Sequence, residues 1–385
     1  MDITSNIKYI GVDDLDIDLF ESQYPVPEGI SYNSYIILDK KVAIIDTADA
    51  RKDKEWWSNL EAALAGRTPD YLVVQHVEPD HASLIAQVVE RYPAIKVVAT
   101  AAALKMMPQF FAGVDFVSCG IAVKEGDTLS LGSHTLQFVV APMVHWPEVM
   151  LCYEQSEKVL FSADAFGKFG ALCHAGEWDC EARRYYINIC GKYGVQVQTL
   201  LKKATTLDIK TICPLHGPVL TDNLAHYIGL YDIWSRYEPE THGVLVAYAS
   251  IHGGTAAAAH ELAAILRAQG AGKVVVTDLA RCDMAEAVED AFRYSHMALC
   301  AASYDADVFP PMHDFLHHLQ LKGYRNRKVA ILENGSWAPT AGRVMRCMLE
   351  EMKGIEIVEP MVTIRSRMKE SDMPAMELLA TSLLN

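Results

Sequence analysis

The stretch YLVVQHVEPDH, Tyr71 to His81, joins an apolar run to a segment dense in possible metal ligands. The run YLVV is typical of a short buried strand. Side chains two apart on an extended segment share a side, so His76 and Glu78 can reach one ion, while Asp80 and His81 are free to address a second. The alternative is an ordinary polar loop in front of a helix.

Three further apolar strands end in possible ligands. His145 follows a strand in APMVHW, Asp164 follows KVLFSA, and His216 follows TICPL. A single histidine of this kind is more often a hydrogen-bonded structural residue. Imidazole and carboxylate together are ligands that divalent first-row metals prefer. Because histidines and acids recur at the ends of strands in one half of the chain, the sequence predicts a shared metal site.

The chain has 385 residues, enough for two domains. From about Lys8 to Pro218, short apolar strands interrupted by helical stretches predict a mixed α/β domain with two layered sheets. After SRYEPETHG, strands and helices take turns: GVLVAYAS, KVVVTDL, HMALCAAS, KVAILENG and IEIVEPMVTI are each followed by a helical stretch. This alternation predicts a parallel, doubly wound sheet that binds ligands at the carboxyl ends of its strands. We place the domains at residues 1–240 and 241–385.

Charge and composition exclude several classes of protein. A formal charge of −15 without a cluster of Lys and Arg argues against nucleic-acid binding. There is no basic leader and no run of 18 apolar residues, so we expect a cytoplasmic protein that does not bind membranes. The nine cysteines include no CxxC pair, which predicts reduced, mostly buried thiols and neither a disulfide framework nor a rubredoxin-type iron site.

The order HxExDH, HWPE, SADAFG and LHGP resembles the metallo-β-lactamase fold and, within it, the flavodiiron proteins (A-type flavoproteins). In hydrolases of that fold the second position of the first motif is usually His and the metal is usually zinc. Here it is Glu78, and an extra carboxylate suits iron better than zinc.

The resemblance implies a ligand set for two iron ions. One iron takes His76, Glu78 and His145, the other takes Asp80 and His216, and Asp164 bridges them; these six residues are also the expected catalytic residues. His81 either binds an iron or orients Asp80. Three further residues are candidates for lining the pocket, although each is more often structural: Tyr24, His174 and Tyr193.

Three loops of the second half predict a flavin site. In SIHGGT, small residues let backbone N–H groups approach a phosphate at a helix N-terminus, and Tyr304 and Trp337 in two later loops can flank a flat ring. Together the loops resemble the FMN site of flavodoxin, and the absence of GxGxxG argues against a dinucleotide. The predicted FMN contacts are Ser250, His252, Gly253, Gly254, Thr255, Ser303, Tyr304, Asp305, Asn334, Gly335, Ser336 and Trp337.

Two features of this prediction stay open. His252 stands where the family usually has Tyr or Trp, which leaves the phosphate and ring contacts undefined. The alternative is a flavodoxin-like domain without a flavin.

The resemblance therefore implies an α/β protein with an N-terminal metallo-β-lactamase-like αββα sandwich and a C-terminal flavodoxin-like doubly wound parallel sheet. It implies an oxidoreductase that passes electrons through FMN to a non-haem diiron site, which reduces O2 to water, NO to N2O, or both. The rivals are a zinc hydrolase with a flavodoxin-like appendage and a non-enzymatic flavin electron carrier.

The partners follow from the same resemblance. Without a CxxC module we expect a separate electron donor, most simply a rubredoxin, with a reduced deazaflavin as the alternative. The two cofactors are expected at separate sheets, too far apart within one chain for fast transfer. A head-to-tail homodimer, or a tetramer built from it, would bring the flavin of one subunit to the iron of the other.

Overall fold

The computed structural model describes residues 2–174 and 176–385. The chain forms two compact units, of which the first ends at Asp232 and the second begins at Ile233. The assignment of metal chemistry to residues 1–240 and of flavin binding to residues 241–385 stays a prediction.

The first unit is built on two sheets. Its strands are β1 (Ile7–Tyr9), β2 (Val12–Asp14), β3 (Leu19–Phe20), β4 (Tyr24–Pro25), β5 (Ile30–Tyr32), β6 (Tyr35–Leu38), β7 (Val42–Ile45), β8 (Tyr71–Val73), β9 (Lys96–Thr100), β10 (Gly120–Val123), β11 (Thr128–Ser130), β12 (Thr135–Val140), β13 (Met150–Glu154), β14 (Val159–Phe161) and β15 (Thr211–Cys213). One sheet has the order β1-β6-β7-β8-β9-β10 and the other the order β11-β12-β13-β14-β15. β2 pairs with β5 and β3 with β4 in two small ribbons.

One apolar core lies between these two sheets. Ile37 and Ile45 of the first sheet belong to the same buried cluster as Phe138 and Phe161 of the second. Burying each such side chain contributes about 1.5–3 kcal/mol relative to leaving it in water. The predicted sandwich of two layered sheets is confirmed.

Helices accompany the sheets of the first unit. They are α1 (Asp53–Leu64), α2 (Pro79–Ala82), α3 (Ile85–Arg91), α4 (Ala101–Met106), α5 (Phe116–Cys119), α6 (Trp178–Tyr185), α7 (Gly194–Ala204) and α8 (Leu224–Ser235), which runs into the second unit. α1 buries Trp56, Leu60 and Leu64, which stand four residues apart and so share one helical face. A π-helical turn, Tyr186–Cys190, directly continues α6.

The second unit is a parallel sheet with crossover helices. Its strands are β16 (Thr241–Ala249), β17 (Val274–Asp278), β18 (Tyr294–Tyr304), β19 (Asp307–Val308), β20 (Lys328–Asn334), β21 (Glu356–Ile357) and β22 (Val362–Ile364), and its helices are α9 (Gly254–Ala268), α10 (Met284–Arg293), α11 (Pro310–Leu321), α12 (Ala341–Glu350) and α13 (Met373–Leu384). The sheet order β17-β16-β18-β20-β21 confirms the predicted doubly wound topology. Within the described ranges, no helix is both long enough and apolar enough to cross a bilayer.

The last strand differs from the prediction. IEIVEPMVTI was predicted as one strand, but the structure divides it into β21, which pairs with the start of β20, and β22, which pairs with its end. Pro360 lies between them, and a proline offers no N–H to a sheet ladder. The break brings the residues after Ile364 to the carboxyl end of β20, beside Asn334.

Candidate metal centre

Three strand ends of the first unit supply the site. His76 stands three residues after β8, Asp164 three after β14 and His216 three after β15. β14 and β15 are parallel neighbours, so Asp164 and His216 leave the same edge of one sheet. β8 belongs to the other sheet, and Gln75 connects the two because its Nε2 donates to the Phe161 carbonyl at 2.8 Å.

The seven candidate ligands of the sequence lie in two buried clusters. One consists of His76, Glu78, His145 and Asp164, and the other of Asp80, His81 and His216; within each cluster the ligand atoms lie within 4.8 Å of one another. The HxExDH motif is therefore divided between the two clusters: His76 and Glu78 belong to the first, and Asp80 and His81 belong to the second. The sequence indicated the same division.

Asp164 faces both clusters. Its Oδ2 lies 3.4 Å from His76 Nε2 and 3.1 Å from His145 Nε2. Its Oδ1 lies 3.3 Å from His81 Nε2 and 3.8 Å from His216 Nε2. One carboxylate therefore offers a separate oxygen to each group of imidazoles.

The remaining carboxylates each serve one cluster. Glu78 Oε2 lies 3.1 Å from His76 Nε2 and 3.0 Å from His145 Nε2. Asp80 Oδ2 lies 3.2 Å from the Nε2 atoms of both His81 and His216. Donor atoms that each stand about 2.1 Å from one ion are separated from one another by roughly 3 Å, so both groups have the spacing of a coordination sphere.

Unsatisfied buried oxygens also fit a metal centre. Both carboxylate oxygens of Asp80 and Oδ1 of Asp164 are buried without a hydrogen-bond partner. A buried acceptor left unpaired costs about 1–3 kcal/mol, and more when it is charged. Divalent cations would compensate these atoms, and the set of imidazoles and carboxylates is one that first-row metals prefer.

The charges in the cluster are strongly coupled. Burial lowers the pKa of His145, but hydrogen bonds with Asp164 and Glu78 outweigh burial and raise that pKa to about 9. Burial raises the pKa of Asp164, but the charges of His76 and His81 and a hydrogen bond from His145 bring that pKa well below its usual range. Asp164 and Glu78 therefore stay ionised, and a metal ion would supply the positive charge that they attract by displacing the imidazole protons.

Buried acceptors set the direction of two imidazoles. His76 Nδ1 donates to Glu148 Oε1 at 2.7 Å, and His216 Nδ1 donates to the Ser31 carbonyl at 2.7 Å. Each bond keeps a proton on Nδ1, so Nε2 is the nitrogen that faces the cluster and can bind a metal ion. The sequence prediction missed Glu148, although it is the last residue of the quoted HWPE, because nothing local relates it to His76.

Asp46 supports the backbone of the loop that begins with Gln75 and His76. Its Oδ1 accepts from the backbone N–H of Gln75 at 2.8 Å and of His76 at 3.5 Å. Burial raises the pKa of its carboxyl to about 8. The only local signal for this role was an acid directly after the apolar strand KVAIID.

A small cavity of about 10 Å³ adjoins the first cluster, and His145, Asp164, Tyr185 and Cys190 are among the residues that line it. A space of this size is close to the minimum for one water molecule. Burial, reinforced by the charge of Asp164, raises the pKa of Tyr185 well above its usual range, so its hydroxyl stays protonated. The π-helical turn after Tyr185 brings Ile189 and Cys190 to the cavity wall.

The two tyrosines and the histidine considered from the sequence are not among the residues that line this small cavity. Tyr24 donates its hydroxyl to the Asn188 carbonyl at 3.3 Å, and His174 is exposed. Tyr193 ends a short 3-10 turn and is half-buried. Tyr185, which the prediction did not name, lies beside the carboxylates; its signal was the pair of tyrosines in RRYYINI, at the end of an amphipathic helix.

The predicted flavin loops share one edge of the second unit's sheet. Ser250–Thr255 follows β16, Ser303–Asp305 ends β18, and Asn334–Trp337 ends β20. Gly253 is the N-cap residue in front of α9, and its φ of +83° favours glycine. Gly254 packs so tightly that an added Cβ would lie 2.3 Å from the Ser366 carbonyl oxygen.

Both predicted ring-flanking residues are exposed, Trp337 by 82% and Tyr304 by 47%. Large exposed aromatic side chains at the carboxyl edge of a doubly wound sheet fit a site for a flat ring. The assignment of individual flavin contacts stays a prediction.

Comparison with known proteins gives concordant findings. A family model described as ODP family beta lactamase matches residues 30–217, an interval that contains all seven clustered ligands. The nitric oxide reductase of Moorella thermoacetica is 28% identical over 375 residues, which cover 94% of this chain and 92% of that protein. Diflavin flavoprotein A 1 of Synechocystis is 32% identical over 255 residues, 64% of this chain and 44% of that longer protein.

A solved structure agrees over the whole chain. The rubredoxin oxygen:oxidoreductase of Desulfovibrio gigas superposes with a TM-score of 0.93 at 24% identity, covering 100% of this chain and 97% of that one. A likeness at this identity establishes the fold.

Proposed function

Because the chain belongs to the flavodiiron protein family, whose members are oxidoreductases, we propose that electrons from a separate donor pass through FMN to two iron ions and reduce O2 to water, NO to N2O, or both. The observation that carries this proposal is the position of Asp164, which offers one carboxylate oxygen to each cluster. A carboxylate shared by two ions would hold them close together. Each atom of a diatomic substrate could then bind to one of the two ions.

The donor set supports iron over zinc. Glu78, Asp80 and Asp164 bring three carboxylates to four imidazoles, and such an anionic site suits a metal that cycles between two oxidation states. When bound, the flavin and the iron ions supply the redox chemistry of the reaction. A zinc hydrolase would have no use for the exposed aromatic loops of the second unit.

The residues of the chain position the substrate and limit water. His76 and His216 are held by Glu148 and Ser31, so their Nε2 atoms keep their direction during turnover. The small cavity beside His145 and Asp164 has room for about one small molecule. The protonated hydroxyl of Tyr185 can donate a hydrogen bond there, which favours developing negative charge on the substrate.

The flavin loops support FMN in particular. The N-terminus of α9 with Gly253 and Gly254 offers backbone N–H groups to a single phosphate. No GxGxxG motif follows β16, which argues against a dinucleotide. Ser250, Thr255, Ser303 and Asn334 supply hydroxyl and amide groups near that edge.

We propose a rubredoxin as the donor and a head-to-tail homodimer, or a tetramer built from it, as the assembly. The proposal of a rubredoxin is supported by the name of the Desulfovibrio gigas protein with this fold, rubredoxin oxygen:oxidoreductase. Light scattering tests the assembly, and a fully active monomer would contradict it.

The central experiment counts cofactors and measures turnover. We expect protein purified without oxygen to contain two iron ions and one FMN per chain and to consume O2 or NO when supplied with reduced rubredoxin. His216→Ala should lose one of the two iron ions and turnover but keep FMN. Zinc in place of iron, or unchanged turnover in His216→Ala, would contradict the proposal.

A further inference from the structure

A short basic segment stands out on an acidic chain. Arg365–Lys369, RSRMK, places three basic residues among five, whereas the whole chain carries a formal charge of −15. The segment directly follows β22, and Arg365, Arg367 and Lys369 are all exposed. We call Arg365–Lys369 the basic segment.

The basic segment is anchored to the predicted flavin loops. The Ser366 N–H donates to Asn334 Oδ1 at 3.1 Å, and Asn334 Nδ2 donates to the Ser366 carbonyl at 3.0 Å. The hydroxyls of Ser366 and Ser336 lie 2.6 Å apart. The segment therefore borders the edge of the sheet where Trp337 is exposed.

The segment is held in shape from within. Lys369 Nζ donates to the carbonyls of Arg365 and Arg367 at 3.1 and 3.0 Å, and the Lys369 N–H donates to Asp372 Oδ2 at 2.8 Å. By contrast, neither guanidinium of Arg365 or Arg367 makes an ion pair or hydrogen bond to any residue of 2–174 or 176–385. Two ordered, solvated charges are thus left for an external partner.

We propose that the basic segment is the docking surface for an acidic electron-transfer protein that reduces the flavin. This inference rests on the proposed function and adds the surface through which electrons enter. Arginine is enriched at protein interfaces, and complementary charge at a rim raises the association rate more than the affinity. The negative charge of this chain would repel an acidic donor from most of its surface. A local positive rim beside the predicted flavin site would attract such a donor and orient it there.

The test measures flavin reduction in the complete holoprotein by anaerobic stopped flow, with an acidic reduced rubredoxin as the probe. We expect Arg365→Glu and Arg367→Glu each to slow this step about tenfold at low ionic strength, and the difference from wild type to vanish at high ionic strength. Reduction by dithionite at high ionic strength, where its own negative charge is screened, is the internal reference and should stay at the wild-type rate.

Lys353→Glu is the matched control. It makes the same charge change on an exposed residue of the same unit, but its carbonyl accepts from Asn326, which precedes β20 at the amino edge of the sheet. This variant should keep the wild-type rate with rubredoxin. Equal slowing in Lys353→Glu would mean that net charge, not the basic segment, matters, and would overturn the proposal.

Other outcomes distinguish docking of the donor from two alternative roles of the basic segment. Loss of FMN in the arginine variants would assign the segment to the flavin phosphate, and dissociation of the oligomer would assign it to a second copy of the chain; either result overturns docking. If rubredoxin reduces the flavin in a segment-dependent way but neither O2 nor NO is consumed, docking stands and the proposed function fails.

Discussion

His76 Nδ1 lies 2.7 Å from Glu148 Oε1, and both side chains are fully buried. The same oxygen accepts the Val77 N–H at 3.1 Å, so Glu148 holds both the imidazole and the backbone beside it. No motif of the sequence relates these residues, which stand 72 positions apart.

Glu148→Gln keeps the shape of the side chain but removes its charge. We expect the metal affinity to fall about 10–100-fold, because the partner of a ligating imidazole sets its orientation and basicity. Competition against a chelator, read as iron retained per chain, measures the change.

Glu154→Gln is the control for this substitution. Glu154 is also buried beside a histidine, His134, at 3.1 Å, but it lies at the far end of β13 from the site. It should retain iron like the wild type. Equal retention in both variants would show that Glu148 does not support the metal.

Asp164→Ala should weaken both metal positions, whereas His216→Ala should weaken one. The reason is that Asp164 directs Oδ2 to His76 and His145 and Oδ1 to His81 and His216. Iron analysis of folded protein, verified by far-UV circular dichroism, compares the two. Iron content in Asp164→Ala equal to that in His216→Ala would argue against a shared carboxylate.

Gly254→Ala should reduce flavin content without changing iron content. The new Cβ would lie 2.3 Å from the Ser366 carbonyl oxygen, so the backbone of the loop has to move. The flavin absorbance per chain after gel filtration measures the effect. Gly272→Ala is the control, since its Cβ would lie 3.7 Å from the His242 carbonyl oxygen, an ordinary contact; full flavin in both variants would contradict the expectation.

Arg327→Lys should destabilise the second unit by about 1–3 kcal/mol. The buried guanidinium donates to the carbonyls of Tyr237 and Phe292 at 2.7 Å and of Tyr294 at 2.9 Å, and an ammonium cannot match this planar arrangement. Urea unfolding measures the midpoint. Arg346→Lys, at the exposed pair with Glu359, should stay within about 0.5 kcal/mol of wild type, and a similar loss in both would refute the burial argument.

Local patterns predicted the fold well. The run YLVV before His76 predicted β8, and the alternation of strands and helices after Gly243 predicted the parallel sheet. Both predictions succeeded because the hydropathy of nearby residues shows which of them are buried. The division of IEIVEPMVTI was missed although Pro360 was visible, since its neighbours on both sides are apolar and strand-forming.

The candidate site was predicted less completely. The seven clustered residues were named from their motifs, but Glu148, Asp46 and Tyr185 were not. Two of them act through residues that are close in space but distant in the sequence. Glu148 acts through His76, and Asp46 acts through the backbone of Gln75. The first pair forms where the two sheets pack, and the second forms where β7 pairs with β8, so local chemistry reveals neither.

By itself, the sequence determined the fold class, the donor atoms and their positions at strand ends, because hydropathy and ligand chemistry belong to individual residues and their near neighbours. Only the tertiary structure decided that Asp164 faces both clusters and that Glu148 lies behind His76. Those relations depend on the packing of the sheet that carries β8 against the sheet that carries β14 and β15, where segments far apart in the chain meet in one buried place.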